Sequence, residues 1–122
     1  MMKFRRFSVV AAALIAIAGA SAASAETLTF QLSNDYGAVD MEFYSQDRNH
    51  VWPGNGQIYP LLEGRQHITV SCQYDENICY GAWVSGDKDG IYWGVGPGQR
   101  GSCTNCCYHC TGGSTRVISI HE

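Results

Sequence analysis

The sequence predicts an all-β protein, one small disulfide-stapled β-sandwich or barrel of six to seven short antiparallel strands. Three observations lead there. Apolar and polar residues alternate over several short runs, the period-2 signature of a strand with one buried face. Apolar residues nowhere recur at the helical period for more than a turn or two. The 14 glycines fall mainly between the strand-like runs, and six cysteines are available to cross-link a core of limited size.

The elements follow in order. Thr27-Leu28-Thr29-Phe30-Gln31-Leu32 and Val39-Asp40-Met41-Glu42-Phe43 both alternate, with Asn34-Asp35-Tyr36-Gly37 as turn chemistry between them, which predicts a hairpin with one buried face. His67-Ile68-Thr69-Val70-Ser71-Cys72 repeats the pattern. Residues 78–84 form a mostly apolar run, residues 91–95 another, and Asp87-Lys88-Asp89-Gly90 between them is hairpin-turn chemistry. Those acidic residues do not form an EF-hand loop, because Ser85 and Gly96 stand where its first and twelfth ligands belong. Arg116-Val117-Ile118-Ser119-Ile120 closes the domain as a last strand. A long polar loop at 45–57 and a glycine-rich loop at 94–101 separate these runs, and an open sheet is disfavoured by its exposed edges.

Ahead of the domain, Lys3, Arg5 and Arg6 make a positive segment, residues 9–18 an apolar run too short to span a bilayer comfortably, and Ala23-Ser24-Ala25 a small-residue cleavage site. Residues 1–25 therefore read as a signal peptide and residues 26–122 as a single β domain in the periplasm or secreted medium. Arg5-Arg6 is a poor twin-arginine match, since Ser8 stands where a bulky apolar residue is expected, so the chain is expected to cross the membrane unfolded and without a preloaded cofactor. Cleavage leaves five basic side chains against eleven acidic ones, a formal charge of −6 with His neutral. Such a balance, with no basic cluster, argues against nucleic acid and anionic membranes as partners, and no membrane insertion is expected after cleavage.

Cys103-Thr104-Asn105-Cys106-Cys107-Tyr108-His109-Cys110 concentrates four cysteines in one short segment. With Cys72 and Cys79 they allow 15 connectivities, among which spacing does not choose: Cys72 and Cys79 suit a cross-strand bond in a tight hairpin, and either suits a bond into the cluster. Three disulfides are the expected state in an oxidising compartment. The alternative is a metal-binding or thiol-redox protein centred on residues 103–110. Zinc sites usually draw on two separated C-x-x-C knuckles, whereas these abut and aim Cys106 and Cys107 apart. A haem attachment needs His directly after C-x-x-C, where Cys107 stands, and a thioredoxin-type site needs a helix N-terminus in a βαβ context. No cofactor is expected.

The 45–57 loop supplies the candidate binding residues Asp47, Arg48, His50 and Trp52. A tryptophan beside polar side chains in a Pro/Gly-rich loop suits an interface anchor or stacking on a sugar ring; folding back to cap the sandwich is the equal alternative. Asp47 with His50 is the one acid/base pair that suggests itself, but no nucleophile or second carboxylate accompanies it at a usable spacing, so catalysis is not expected. His67 and His121 read as surface histidines.

Three segments, Phe43-Tyr44-Ser45-Gln46-Asp47-Arg48-Asn49-His50-Val51-Trp52-Pro53-Gly54, Ile78-Cys79-Tyr80-Gly81-Ala82-Trp83 and Tyr92-Trp93-Gly94-Val95-Gly96, followed by the cysteine cluster, resemble a group of small secreted cysteine-rich bacterial proteins. The resemblance covers most of residues 26–122 and carries no activity. In size, export and cysteine content the chain is also similar to periplasmic inhibitors of lysozyme, which supplies a class of hypothesis without a residue-by-residue match. The expectation is a non-catalytic module that binds a protein or glycan through loop 45–57.

Overall fold

The computed structural model describes residues 24–122, so residues 1–23 of the signal peptide expected at 1–25 lie outside the described residues. Nine strands form: β1 (Ala25–Asn34), β2 (Val39–Ser45), β3 (Val51–Trp52), β4 (Tyr59–Leu61), β5 (Gly64–Gln73), β6 (Asn77–Val84), β7 (Tyr92–Gly94), β8 (Cys107–His109) and β9 (Ser114–Ile120), with a 3-10 turn at Pro97–Gln99. They make two sheets, an all-β sandwich rather than a closed barrel. The first sheet runs β5-β1-β9. The second has β2 and β6 at its centre and fills each outer edge with two short strands, β3 and β4 along β2, β7 and β8 along β6.

Each of the six strand-like runs becomes a strand, and the hairpin at residues 85–91 joins β6 to β7 as expected. The first predicted hairpin is corrected. β1 pairs with β5 and β9, while β2 pairs with β3, β4 and β6, so the two belong to different sheets. The turn chemistry at residues 34–37 is real but makes an arch across the sandwich. Fully buried Asn34 builds it, accepting from Tyr36 N at 2.9 Å through Oδ1 and donating through Nδ2 to Gly37 O at 2.6 Å and Leu62 O at 3.0 Å. An amide with three partners satisfies a buried polar group and locks the crossing.

The strands are not all antiparallel either, because β9 runs parallel to β1. Its direction follows from where the chain re-enters: Asp75 N donates to Cys110 O at 2.6 Å, and Cys72, which lies opposite Glu26 in the β1–β5 ladder, is bonded to Cys110, which places Cys110 and the start of β1 at the same end. From there β9 can only run alongside β1. The ladder shifts register between Thr29 and Gln31, and buried Thr115 fills the gap by accepting from Gln31 N through its hydroxyl at 3.2 Å.

Between the sheets lie Leu28, Phe30 and Leu32 of β1, Val39, Met41 and Phe43 of β2, Val70 of β5, Ile78 and Ala82 of β6, and Ile118 and Ile120 of β9. Phe30 and Phe43 stack face to face across the sheets with centroids 4.1 Å apart, and Tyr108 and Phe30 meet in a T-shape with centroids 6.0 Å apart. Burying each phenylalanine contributes about 2 to 3 kcal/mol.

The second sheet is also covered on its outer side. Successive strand residues point to opposite faces, so Tyr44 of β2 and Cys79, Gly81 and Trp83 of β6 face away from Phe43 and Ala82, yet all are buried. The glycine-rich segment 94–101 covers Tyr44 and Gly81, the bond to Cys107 covers Cys79, and Lys88 lies 5.7 Å from the Trp83 ring centroid. Gly81 admits the glycine-rich segment: a Cβ there would run into the carbonyl of Gly96. Gly96, at φ +72°, passes beneath Tyr92, whose ring would lie 2.8 Å from a Cβ at that position.

Candidate functional site

The loop read as 45–57 divides into two pinned pieces. In the first, Ser45 Oγ accepts from Asp47 N and Arg48 N, both at 3.1 Å, which curls residues 45–48 into a tight turn. Ser45 N donates to His50 O at 3.0 Å and Gln46 N to Asn77 O at 2.8 Å, tying the turn to the start of β6. The second piece begins with β3, whose Val51 and Trp52 pair with Tyr44 and Phe43, and continues through a tight turn closed by Gln57 N donating to Gly54 O at 3.0 Å.

The four candidate binding residues are therefore engaged internally. Asp47 Oδ2 accepts from Asn77 N at 2.8 Å. Arg48 grips Glu76 with two bonds, Nε to Oε2 at 2.6 Å and Nη2 to Oε1 at 3.1 Å. Of the two readings of Trp52, exposed anchor or cap on the sandwich, the structure has the second: it is 7% exposed and its Nε1 donates to Ser71 O at 2.8 Å, holding β3 against the first sheet. The His50 ring meets the Trp52 ring edge-on with centroids 4.5 Å apart, and the Arg48 guanidinium lies 5.7 Å from the indole centroid. Arg48, His50 and Trp52 thus come together as a stack that closes the sandwich, and Asp47 joins a different partner.

Glu76 is the residue that sequence reasoning missed. Its side chain is 1% exposed, and the Arg48 side chain that covers it is itself 36% exposed. Burial pushes the carboxyl up, but the Arg48 hydrogen bond, the Gln73 N–H at 2.9 Å, the Ser45 hydroxyl and the Arg48 charge together hold it at about 2. Within the turn Tyr74-Asp75-Glu76-Asn77 nothing marks one acid as buried; only the arrival of residues 45–48 beside it does so.

The glycine-rich loop meets this turn. Gln46 Nε2 donates to Gln99 Oε1 at 2.7 Å, joining the two loops into one rim. Beneath them, Tyr44 Oη donates to Glu42 Oε1 at 2.8 Å and accepts from Gly98 N at 2.9 Å. Burial, then the acceptor and charge of Glu42, push the Tyr44 phenol well above its ordinary range, so it stays a neutral donor at every physiological pH. Farther along, Arg100 lies 5.3 Å from the Tyr92 ring centroid and donates to Gly90 O at 3.3 Å. Asn49, His50, Gln99 and Arg100 keep exposed side chains on this surface.

All six cysteines form disulfides: Cys72–Cys110, Cys79–Cys107 and Cys103–Cys106. Cys72 and Cys79 do not bond each other, because β5 and β6 lie in different sheets and the turn between them crosses the sandwich. Both reach into the cluster instead. Cys79 and Cys107 are directly opposed in the β6–β8 ladder, and Cys72–Cys110 links the first sheet to the chain leaving β8. In this state the cluster offers no thiolate to a metal, and among the described residues no three His, Cys, Asp or Glu side chains are grouped to hold one. His67 and His121 are exposed, on β5 and just after β9. Comparison with known proteins finds no matching family model, no matching curated protein and no matching solved structure.

Proposed function

We propose that the chain is an exported, non-catalytic binding module that presents the joined rim of residues 46–50 and 97–101 to a protein or glycan ligand. The observation that carries this reading is the Gln46–Gln99 bond between two loops that are each anchored from below, one by Arg48–Glu76 and Asp47–Asn77, the other by Tyr44. Loops already ordered lose little conformational entropy on binding, so polar contacts from a small rim go further toward affinity. Asn49, His50 and Arg100 supply the contacts in this scheme, while Arg48 and Trp52 hold the platform. A periplasmic or secreted location is supported by the leader-like first residues and by three disulfides, which persist where thiols are not kept reduced. The acidic balance of residues 26–122 speaks against nucleic acid, and no helix among the described residues is long and apolar enough to cross a membrane.

The test is a screen of isotope-labelled residues 26–122 against a glycan array and against exported glycan hydrolases such as lysozyme, with amide shifts mapped for any ligand found. Shifts confined to residues 46–50 and 97–101, with affinity reduced about tenfold by His50→Ala or Arg100→Ala at unchanged Tm, are expected. A ligand that maps to the outer face of β5-β1-β9 would overturn the assignment of the rim.

A further inference from the structure

The three disulfides are not equivalent toward an external thiol. Cys72–Cys110 ties the two sheets together with both residues buried. Cys79–Cys107 has one partly exposed sulfur-bearing residue, Cys107, but its two halves are held face to face by the β6–β8 ladder. If that bond opens, the paired strands keep the thiols opposed and the bond re-forms in preference to a lasting adduct.

Cys103–Cys106 differs on each count. It spans a sequence separation of 3, against 28 and 38 for the others, so it restrains the chain least. It lies outside every strand, with Thr104 and Asn105 exposed between its partners and Cys103 itself partly exposed. The backbone on either side is anchored without it: Gly101 N donates to Val95 O at 2.9 Å, and Cys106 O accepts from Tyr80 N at 3.0 Å. Opening the bond therefore frees only the few residues between these anchors and leaves both sheets intact.

The geometry points to Cys103–Cys106 as an exchangeable disulfide, a site of thiol–disulfide exchange with an exported dithiol. In the first step the dithiol's thiolate attacks Cys103 Sγ; the Cys103–Cys106 bond breaks and Cys106, the buried partner, leaves as a thiolate that takes up a proton. In the second the dithiol's other thiol, deprotonated, attacks its own sulfur in the mixed disulfide, and Cys103 leaves and is protonated. The protein gains two electrons and two protons, and the dithiol becomes a disulfide. Exposed disulfides are the labile ones, and here exposure coincides with a segment that has no strand to template re-closure.

The experiment uses the oxidised, folded protein with dithiothreitol as the dithiol, quenched by acid and alkylation at intervals and mapped by peptide mass. Cys103 and Cys106 should become alkylated together, at least about tenfold faster than the other four, while the far-ultraviolet circular dichroism stays unchanged. Simultaneous opening of all three bonds, or earlier alkylation of Cys79 with Cys107 or of Cys72 with Cys110, would overturn the assignment. As a second measurement, folded Cys106→Ser protein exposed to oxidised glutathione should form a mixed disulfide at Cys103, and failure to react would equally count against it. Neither readout depends on the binding function of the rim.

Discussion

Removing the guanidinium from Arg48 should destabilise this sandwich more than any other single change on its surface, and the cost should depend on pH in a defined direction. Glu76 carries its negative charge almost wholly out of water, and the Arg48 fork supplies two of its bonds. A carboxyl lowered from 4.5 to about 2 corresponds to about 3 kcal/mol of stability at neutral pH. Because the folded value lies below the unfolded one, that contribution is complete above the unfolded carboxyl's titration and is lost as pH falls from about 4.5 toward about 2. Arg48→Ala leaves the burial penalty on Glu76 opposed only by the Gln73 N–H and the Ser45 hydroxyl. About 3 kcal/mol should be lost at pH 7, much of it the penalty of an uncompensated buried charge. Glu76→Gln should cost about 1 to 2 kcal/mol, because the freed Arg48 can turn to solvent while the amide oxygen still accepts from Gln73. The assay is urea unfolding with disulfides intact at pH 7 and at steps down to pH 2, for the wild type, both single variants and the double variant. The wild type and Glu76→Gln should converge as the pH drops, and the double variant should lose at least about 1 kcal/mol less than the sum of the singles. An Arg48→Ala protein within about 0.5 kcal/mol of wild type at pH 7, or a wild-type advantage over Glu76→Gln that stays flat to pH 2, would refute the reasoning.

Three further outcomes are expected. Trp52→Phe keeps most of the buried ring but abandons the bond to Ser71 O, and should cost about 1 to 3 kcal/mol in denaturant unfolding, whereas Trp52→Ala should cost about 3 to 5. Gly81→Ala drives a Cβ into the Gly96 carbonyl and should lift the glycine-rich segment, at about 1 to 3 kcal/mol and with faster hydrogen exchange at Gly98 N; Gly113→Ala, with open space around its Cβ position, should leave both readouts unchanged. Replacing the Cys72–Cys110 pair by serines should cost about 4 kcal/mol and the Cys103–Cys106 pair about 2, a ranking set by loop length and checked by thermal unfolding of each double variant.

Six of the nine strands were legible, β1, β2 and β5 from alternation, β6 and β7 from short apolar runs, and β9 from the apolar closing segment. β3, β4 and β8 were not, since two or three residues carry no period: Val51-Trp52 is a strand only because Tyr44 and Phe43 lie beside it. The candidate site shows the same division. Polar, turn-forming character at residues 45–50 was readable, and so was the even choice for Trp52 between surface and core. Which way Trp52 turned depended on a carbonyl acceptor at Ser71, 19 residues away, and on β2 having no other partner along that stretch of its edge. Asp47 and Arg48 look like ligand-contacting residues for the reason that makes them good anchors: short polar loops need charged groups to satisfy neighbouring backbone and buried carboxylates, and composition does not say whose.

By itself, the sequence determined the class of the protein: an all-β domain, its six principal strands, its turn chemistry, and enough cysteine for three cross-links. These depend on local period and composition, which neighbouring residues carry among themselves. The tertiary structure alone decided that β1 and β2 arch between sheets, that β9 runs parallel to β1, that Cys72 and Cys79 bond into the cluster, and that Glu76 is buried beneath Arg48. Each of these is a choice of partner at long range. A strand with one apolar face is satisfied equally by a neighbour in its own sheet or by a facing sheet, and only the joint packing of the whole chain breaks the tie.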